Sequence, residues 1–162
     1  TAWIQPRGGS LFPPDLVECG VDLDALLVVH VPPPAGASER EHPLALCKAA
    51  ELLLRSGAFG LVVLDFCLGA PPSGRRAWQG RLLGLARQHH SRVVVLTEKP
   101  ASADSLGPLV NARIEPRRHR ALAAGIRRGA GVFTLEHEVL KNKSGAVMRI
   151  DTEQRRGPWG MR

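Results

Sequence analysis

The sequence predicts an α/β fold: a mainly parallel sheet flanked by helices, with an antiparallel extension toward the C-terminus. Three observations carry this. Short aliphatic runs such as Leu61-Val62-Val63-Leu64 and Val93-Val94-Val95-Leu96 read as strands buried on both faces. Amphipathic stretches separate them as far as residue 96, which is the alternation that builds right-handed βαβ crossovers. Beyond residue 110 strand-like segments follow one another over short links without helices between them, the mark of antiparallel pairing.

Trp3–Gln5 reads as a strand and Pro6-Arg7-Gly8-Gly9-Ser10 as the loop leaving it. The chain opens on Thr1 inside that strand and without an initiator Met, which is the expectation for a piece of a longer protein. Pro13 to Gly20 predicts a short helix, with prolines at its start, Asp15 in its first turn and Gly20 as its stop. Leu26–Val31 is a second strand, and prolines stiffen the loop from Pro32 to Ser38. Glu39 to Arg55 has helical spacing, with Leu44, Cys47, Leu52 and Leu54 as apolar positions and Ser56-Gly57 as the end. Gly60 to Asp65 is the central strand, closing on a single acid. A helix is predicted from Arg75 to His90, with Trp78, Leu82, Leu85 and Ala86 on one face. Asn111–Arg117, Val132–Leu140 and Ala146–Thr152 are the later strands, and Arg155 to Gly160 an irregular tail. One domain over 1–154 and a tail over 155–162 is the expected organisation.

Composition narrows the function classes. No apolar run reaches the roughly 18 residues of a membrane helix, and the start has no signal-peptide pattern. Cys19, Cys47 and Cys67 are odd in number and lack CxxC spacing, which favours buried thiols in a reducing cytoplasm over a disulfide frame or zinc site. The six histidines show no metal-ligand spacing, and no G-x-S-x-G elbow follows a strand, so no metal, cofactor or nucleophilic catalyst is expected. Charge is polarised. Residues 1–70 hold four basic and eight acidic side chains; residues 71–162 hold 18 basic and seven acidic. A basic half of this kind suits a polyanionic partner, DNA first. Arg75, Arg76 and Arg81 on one helix and Arg113, Arg117, Arg118 and Arg120 on one strand and its exit are the candidate phosphate contacts. Solvated arginines on an edge strand are the alternative reading.

Asp65 ends a buried strand, at the edge where open α/β sheets bind ligands and where nucleotide hydrolases keep the aspartate that positions Mg²⁺. A strand-end turn residue is the plainer alternative. Five blocks in order then give the chain a resemblance to the RecA recombinase core. They are Ala2-Trp3-Ile4; Gly20-Val21-Asp22-Leu23-Asp24-Ala25-Leu26-Leu27, close to "GVDIDNLL"; and Leu53-Leu54-Arg55-Ser56-Gly57-Ala58 with Leu61–Asp65, similar to "LARSGAVDVIVVDS". Asn111-Ala112-Arg113-Ile114-Glu115-Pro116-Arg117-Arg118 resembles "SVRLDIRR", and Val139-Leu140-Lys141-Asn142-Lys143 resembles "VVKNK". The resemblance implies a RecA-like core, Asp65 as a nucleotide or Mg²⁺ vestige, and Lys141 and Lys143 as filament-interface lysines that reach a neighbouring subunit's phosphates.

The departures from that family bear on activity. The chain contains no G-x-x-x-x-G-K-[ST] phosphate loop. Where RecA carries its catalytic glutamate, Gln5-Pro6-Arg7 stands instead, and a guanidinium cannot act as a base. Thr97-Glu98 replaces the polar sensor pair, and both DNA-binding loops are short. This pattern resembles the ImuA family, RecA-like components of a bacterial mutagenesis cassette. That resemblance implies a non-catalytic adaptor in damage-induced translesion synthesis, the SOS response, with RecA and the Y-family polymerase homologue ImuB as partners. SulA-like division inhibitors share the fold. The rival expectations are a DNA-binding module and a DNA-dependent ATPase whose phosphate loop lies upstream.

Overall fold

The computed structural model describes residues 1–9, 11–33, 35–36, 42–67, 70–72, 77–120, 132–145 and 149–156. It is an α/β structure that divides into two compact units, Thr1–Lys99 and Pro100–Arg162. The division falls inside the single domain expected over 1–154.

The first unit holds a four-stranded parallel sheet in the order β2-β1-β3-β4, built from β1 (Ala2–Pro6), β2 (Leu27–Val31), β3 (Leu61–Asp65) and β4 (Arg92–Leu96). Helices α1 (Pro13–Glu18), α2 (His42–Arg55) and α3 (Ala77–Gln88) supply the connections. Strand alternation sends Ala2 and Ile4 of β1 to the same face as their register partners Val62 and Leu64 of β3, and all four are fully buried. Against that layer α2 sets Leu46, Cys47, Ala50 and Leu54, and α3 sets Trp78, Leu82 and Ala86. Trp78 meets Phe66 edge to face, with ring centroids 6.3 Å apart.

Leu44 and Leu52 do not belong to this core. The buried stripe of α2 runs 46–47–50–51–54; at 100° per residue it leaves Leu52 on the far side of the helix, 56% exposed, and Leu44 at its edge beyond Glu51, 39% exposed. Cys47 and Leu54 keep their expected places. His42 Nε2–H donates to Val31 O at 2.9 Å and ties the start of α2 to the end of β2. α1 ends as its glycine predicts: Gly20 has φ +82°, and Gly20 N–H and Val21 N–H close onto Val17 O and Leu16 O.

The second unit is a three-stranded antiparallel sheet, β5 (Ala112–Arg120), β6 (Val132–Asn142) and β7 (Ile150–Arg156), with β6 in the centre. These strands were expected to extend the parallel sheet; they form a sheet of their own. Cross-strand charge supports the β5–β6 pairing: Arg117 of β5 lies against Glu136 and Glu138 of β6. Pro116, which has no N–H to give, sits on the edge strand β5, where only one side of the ladder needs donors. β7 is described from Ile150 onward and takes in Arg155 and Arg156, which the sequence assigns to the irregular tail. Residues 146–148 and 157–162 lie outside the described residues. Among the described residues no helix is long and apolar enough to cross a membrane.

Candidate functional site

The parallel sheet changes winding direction at β1 and β3. From β1 the chain moves outward to β2, and from β3 it moves the other way to β4, so the carboxyl ends of β1 and β3 form the crevice where such sheets bind ligands. Gln5 and Asp65 each follow the registered pair Ile4–Leu64 by one residue. They are the polar side chains buried at this edge, at 1% and 2% exposed.

Asp65 is committed locally. Its Oδ1 accepts the Cys67 N–H at 2.9 Å, an Asx-type turn that closes the strand exit. That is the plainer of the two roles considered for it, and its burial leaves little of the carboxylate facing solvent. Burial, followed by the hydrogen bond and charge of Asp65 and the charge of Glu98, pushes the Cys67 thiol up to about 11. Cys67 is therefore no thiolate nucleophile at neutral pH. Burial chiefly, with Glu51 adding to it, likewise pushes Cys47 up to about 12.

Gln5 forms a hub that its sequence context did not signal. Leu11 N–H donates to Gln5 Oε1 at 3.3 Å, and Gln5 Nε2 faces His30 Nδ1 across the β1–β2 pair at 3.4 Å. Gly9 lies so close to this amide that a β-carbon there would collide with it. An amide has no proton-accepting role at neutral pH, so Gln5 can orient neighbours and cannot activate water. Among the described residues no group of three or more His, Cys, Asp or Glu could hold a metal ion.

In the second unit Lys141 and Lys143 are anchored within their own unit. Lys141 Nζ donates to Ser105 Oγ at 3.1 Å and to Gly107 O at 3.0 Å, and Lys143 Nζ donates to Pro108 O. Arg113, the register partner of Lys141, donates to Pro100 O at 2.7 Å and also to Ala103 O. Arg113 on β5, Lys141 on β6 and Lys143 just past the end of β6 thus hold the carbonyls of one segment, residues 100–108. Those carbonyls also relieve the repulsion between the paired cations.

The remaining arginines do not gather into one stripe. Adjacent residues of a strand point to opposite faces, so Arg117 and Arg118 part. Arg117 lies within 2.9 Å of Glu138 and 3.8 Å of Glu136, whereas Arg118 sits over the Phe133 ring, 5.7 Å from its centroid. Arg120 ends β5, and its side chain falls outside the described residues, as do Arg75 and Arg76 entirely. Arg81 pairs with Glu51, which is 3% exposed, and so bridges α3 to α2. Burial alone would raise the Glu51 carboxyl. The hydrogen bond and charge of Arg81, with help from Lys48, outweigh it and hold the group below its usual range.

Compared with known proteins, the chain matches no family model and no curated protein sequence.

Proposed function

We propose that this chain is a non-catalytic, RecA-like adaptor of cytoplasmic DNA-damage tolerance, of the ImuA kind, acting in SOS-induced translesion synthesis through contacts with RecA and ImuB. One observation carries the reading. At the exit of β1, where the resembling family needs an acid, Gln5 is buried and committed to Leu11 N–H and His30, and Arg7 follows it. The five RecA-like blocks support the family side of the reading, and the missing phosphate loop supports the loss of catalysis. Asp65 is then a vestige, its carboxylate serving the β3 exit turn.

A hydrolysis assay tests the loss of catalysis. The expected outcome is no Mg²⁺-dependent ATP turnover above background, with or without single-stranded DNA. Turnover abolished by Asp65→Asn would overturn the proposal in favour of an ATPase.

The stacking of Arg118 on Phe133 favours a second contact, with DNA, on one face of the antiparallel sheet. Aromatic and guanidinium planes are what unstacked bases use. Oligonucleotide affinity should fall steeply with salt, as counterion release requires. Arg118→Ala should weaken it more than Arg117→Ala, since Arg117 is already neutralised by two glutamates. Equal effects of the two substitutions would count against this face.

A further inference from the structure

An open cleft of about 470 Å³ lies at the carboxyl ends of β1 and β2, lined by Arg7, Gly8, His30 and Pro32. We propose that it binds the oxyanion head group of a small ligand, a phosphate or a carboxylate.

The geometry supports this through a directed chain of hydrogen bonds. Because Leu11 N–H occupies Gln5 Oε1, the amide nitrogen is the end that faces His30. Gln5 is 1% exposed, so water offers that nitrogen little alternative. Its N–H therefore donates to His30 Nδ1. The imidazole proton is thereby left on Nε2, where it is available to a ligand as a donor. Arg7 provides the charge. Its backbone N–H donates to Val31 O at 3.2 Å and pins it at the rim of the cleft, and among the described residues its guanidinium has no hydrogen-bond or ion-pair partner.

The turn that carries Arg7 is closed by Gly9 N–H to Pro6 O at 3.0 Å. Gly8 occupies its third position at φ +82°, a conformation that strains any other residue. Pro32 completes the wall without adding a donor of its own. No acid is among the four lining residues, and an arginine and a histidine lining one cleft supply a donor set that suits an anion.

The test is titration of the full chain with inorganic phosphate and, separately, with acetate, followed by ¹H–¹⁵N spectra of the His30 ring and the Arg7 side chain. The expected result is a saturable shift of both groups, with the His30 proton on Nε2. Arg7→Gln should weaken binding by about tenfold or more, as loss of a charged hydrogen bond does. His30→Ala should weaken it as well but also lowers the unfolding midpoint by stranding the buried Gln5 amide, so Arg7→Gln, which should leave that midpoint unchanged, is the deciding variant. A response to phosphate alone identifies a phosphate ligand, and a response to acetate extends the site to carboxylates. Lack of saturation with either anion would overturn the proposal. So would binding indifferent to Arg7→Gln, a His30 proton on Nδ1, or a response confined to a DNA oligonucleotide.

Discussion

Gly9 illustrates how tightly single positions are set around the buried Gln5 amide. A β-carbon at Gly9 has no room beside that side chain, so Gly9→Ala must push the amide or the turn aside. Overpacking of this kind costs about 1–3 kcal/mol, and a lower denaturation midpoint should register it. Glu51 is a second such position. With Arg81→Ala the buried carboxylate keeps only Lys48, 3.5 Å away, and the loss should be about 1–3 kcal/mol. That is less than for a fully buried pair, because the Arg81 side chain is 55% exposed. The pH dependence follows from sign. The folded-state carboxyl of Glu51 is held below its unfolded value, so its contribution is complete above the unfolded pKa of about 4.3 and is lost as pH falls through the folded one. Arg81→Ala should remove that part of the acid sensitivity. Thiol labelling at neutral pH gives a further check. Exposed Cys19 should react quickly, and Cys47 and Cys67, pushed up to about 12 and about 11, slowly. Rapid labelling of Cys47 would contradict the packing of α2.

Among the elements, the strands of the parallel sheet were the most legible. Leu61–Asp65 and the other aliphatic runs carry enough hydrophobicity to be read one at a time, and the helices between them follow. Helix faces were read less well. α2 is rich enough in leucine that several stripes are plausible, and the choice of 46–47–50–54 over one including Leu44 and Leu52 comes from the sheet beneath it. β7 is polar, Ile-Asp-Thr-Glu-Gln-Arg-Arg, and its strand character comes from pairing with β6 rather than from its own residues. The separation of Arg117 from Arg118 was available in principle from period-two alternation. The Gln5–His30 contact was not, because it depends on the parallel register of β1 and β2. The segment held by Arg113, Lys141 and Lys143 yields a prediction at this scale. Lys141→Ala removes two hydrogen bonds to residues 105 and 107, and amide exchange at Ala103 and Val110 should speed up by about tenfold. Unchanged protection there would mean that the segment is held by its backbone turns alone.

At the scale of the whole molecule, two units of different character share one chain. The first carries the parallel sheet and the buried polar edge, and most of the second unit's cations fall on or beside its antiparallel strands. In the adaptor reading, the first unit retains the RecA-like frame while its ligand edge has exchanged an acid for Gln5 and Arg7. On the same reading, Lys141 and Lys143 of the second unit would be the interface lysines. Lys141 and Lys143 already hold carbonyls of their own unit, so reaching a partner's phosphates requires them to exchange those carbonyls for stronger acceptors. Docking should therefore depend on the nucleotide carried by the partner filament.

The most direct measurement is capture of this chain by RecA filaments assembled on single-stranded DNA with ATP-γ-S, comparing the native chain with Lys141→Ala/Lys143→Ala. The adaptor reading predicts capture by the native chain, weakened about tenfold or more in the double variant. Failure of the native chain to bind the filaments would contradict it.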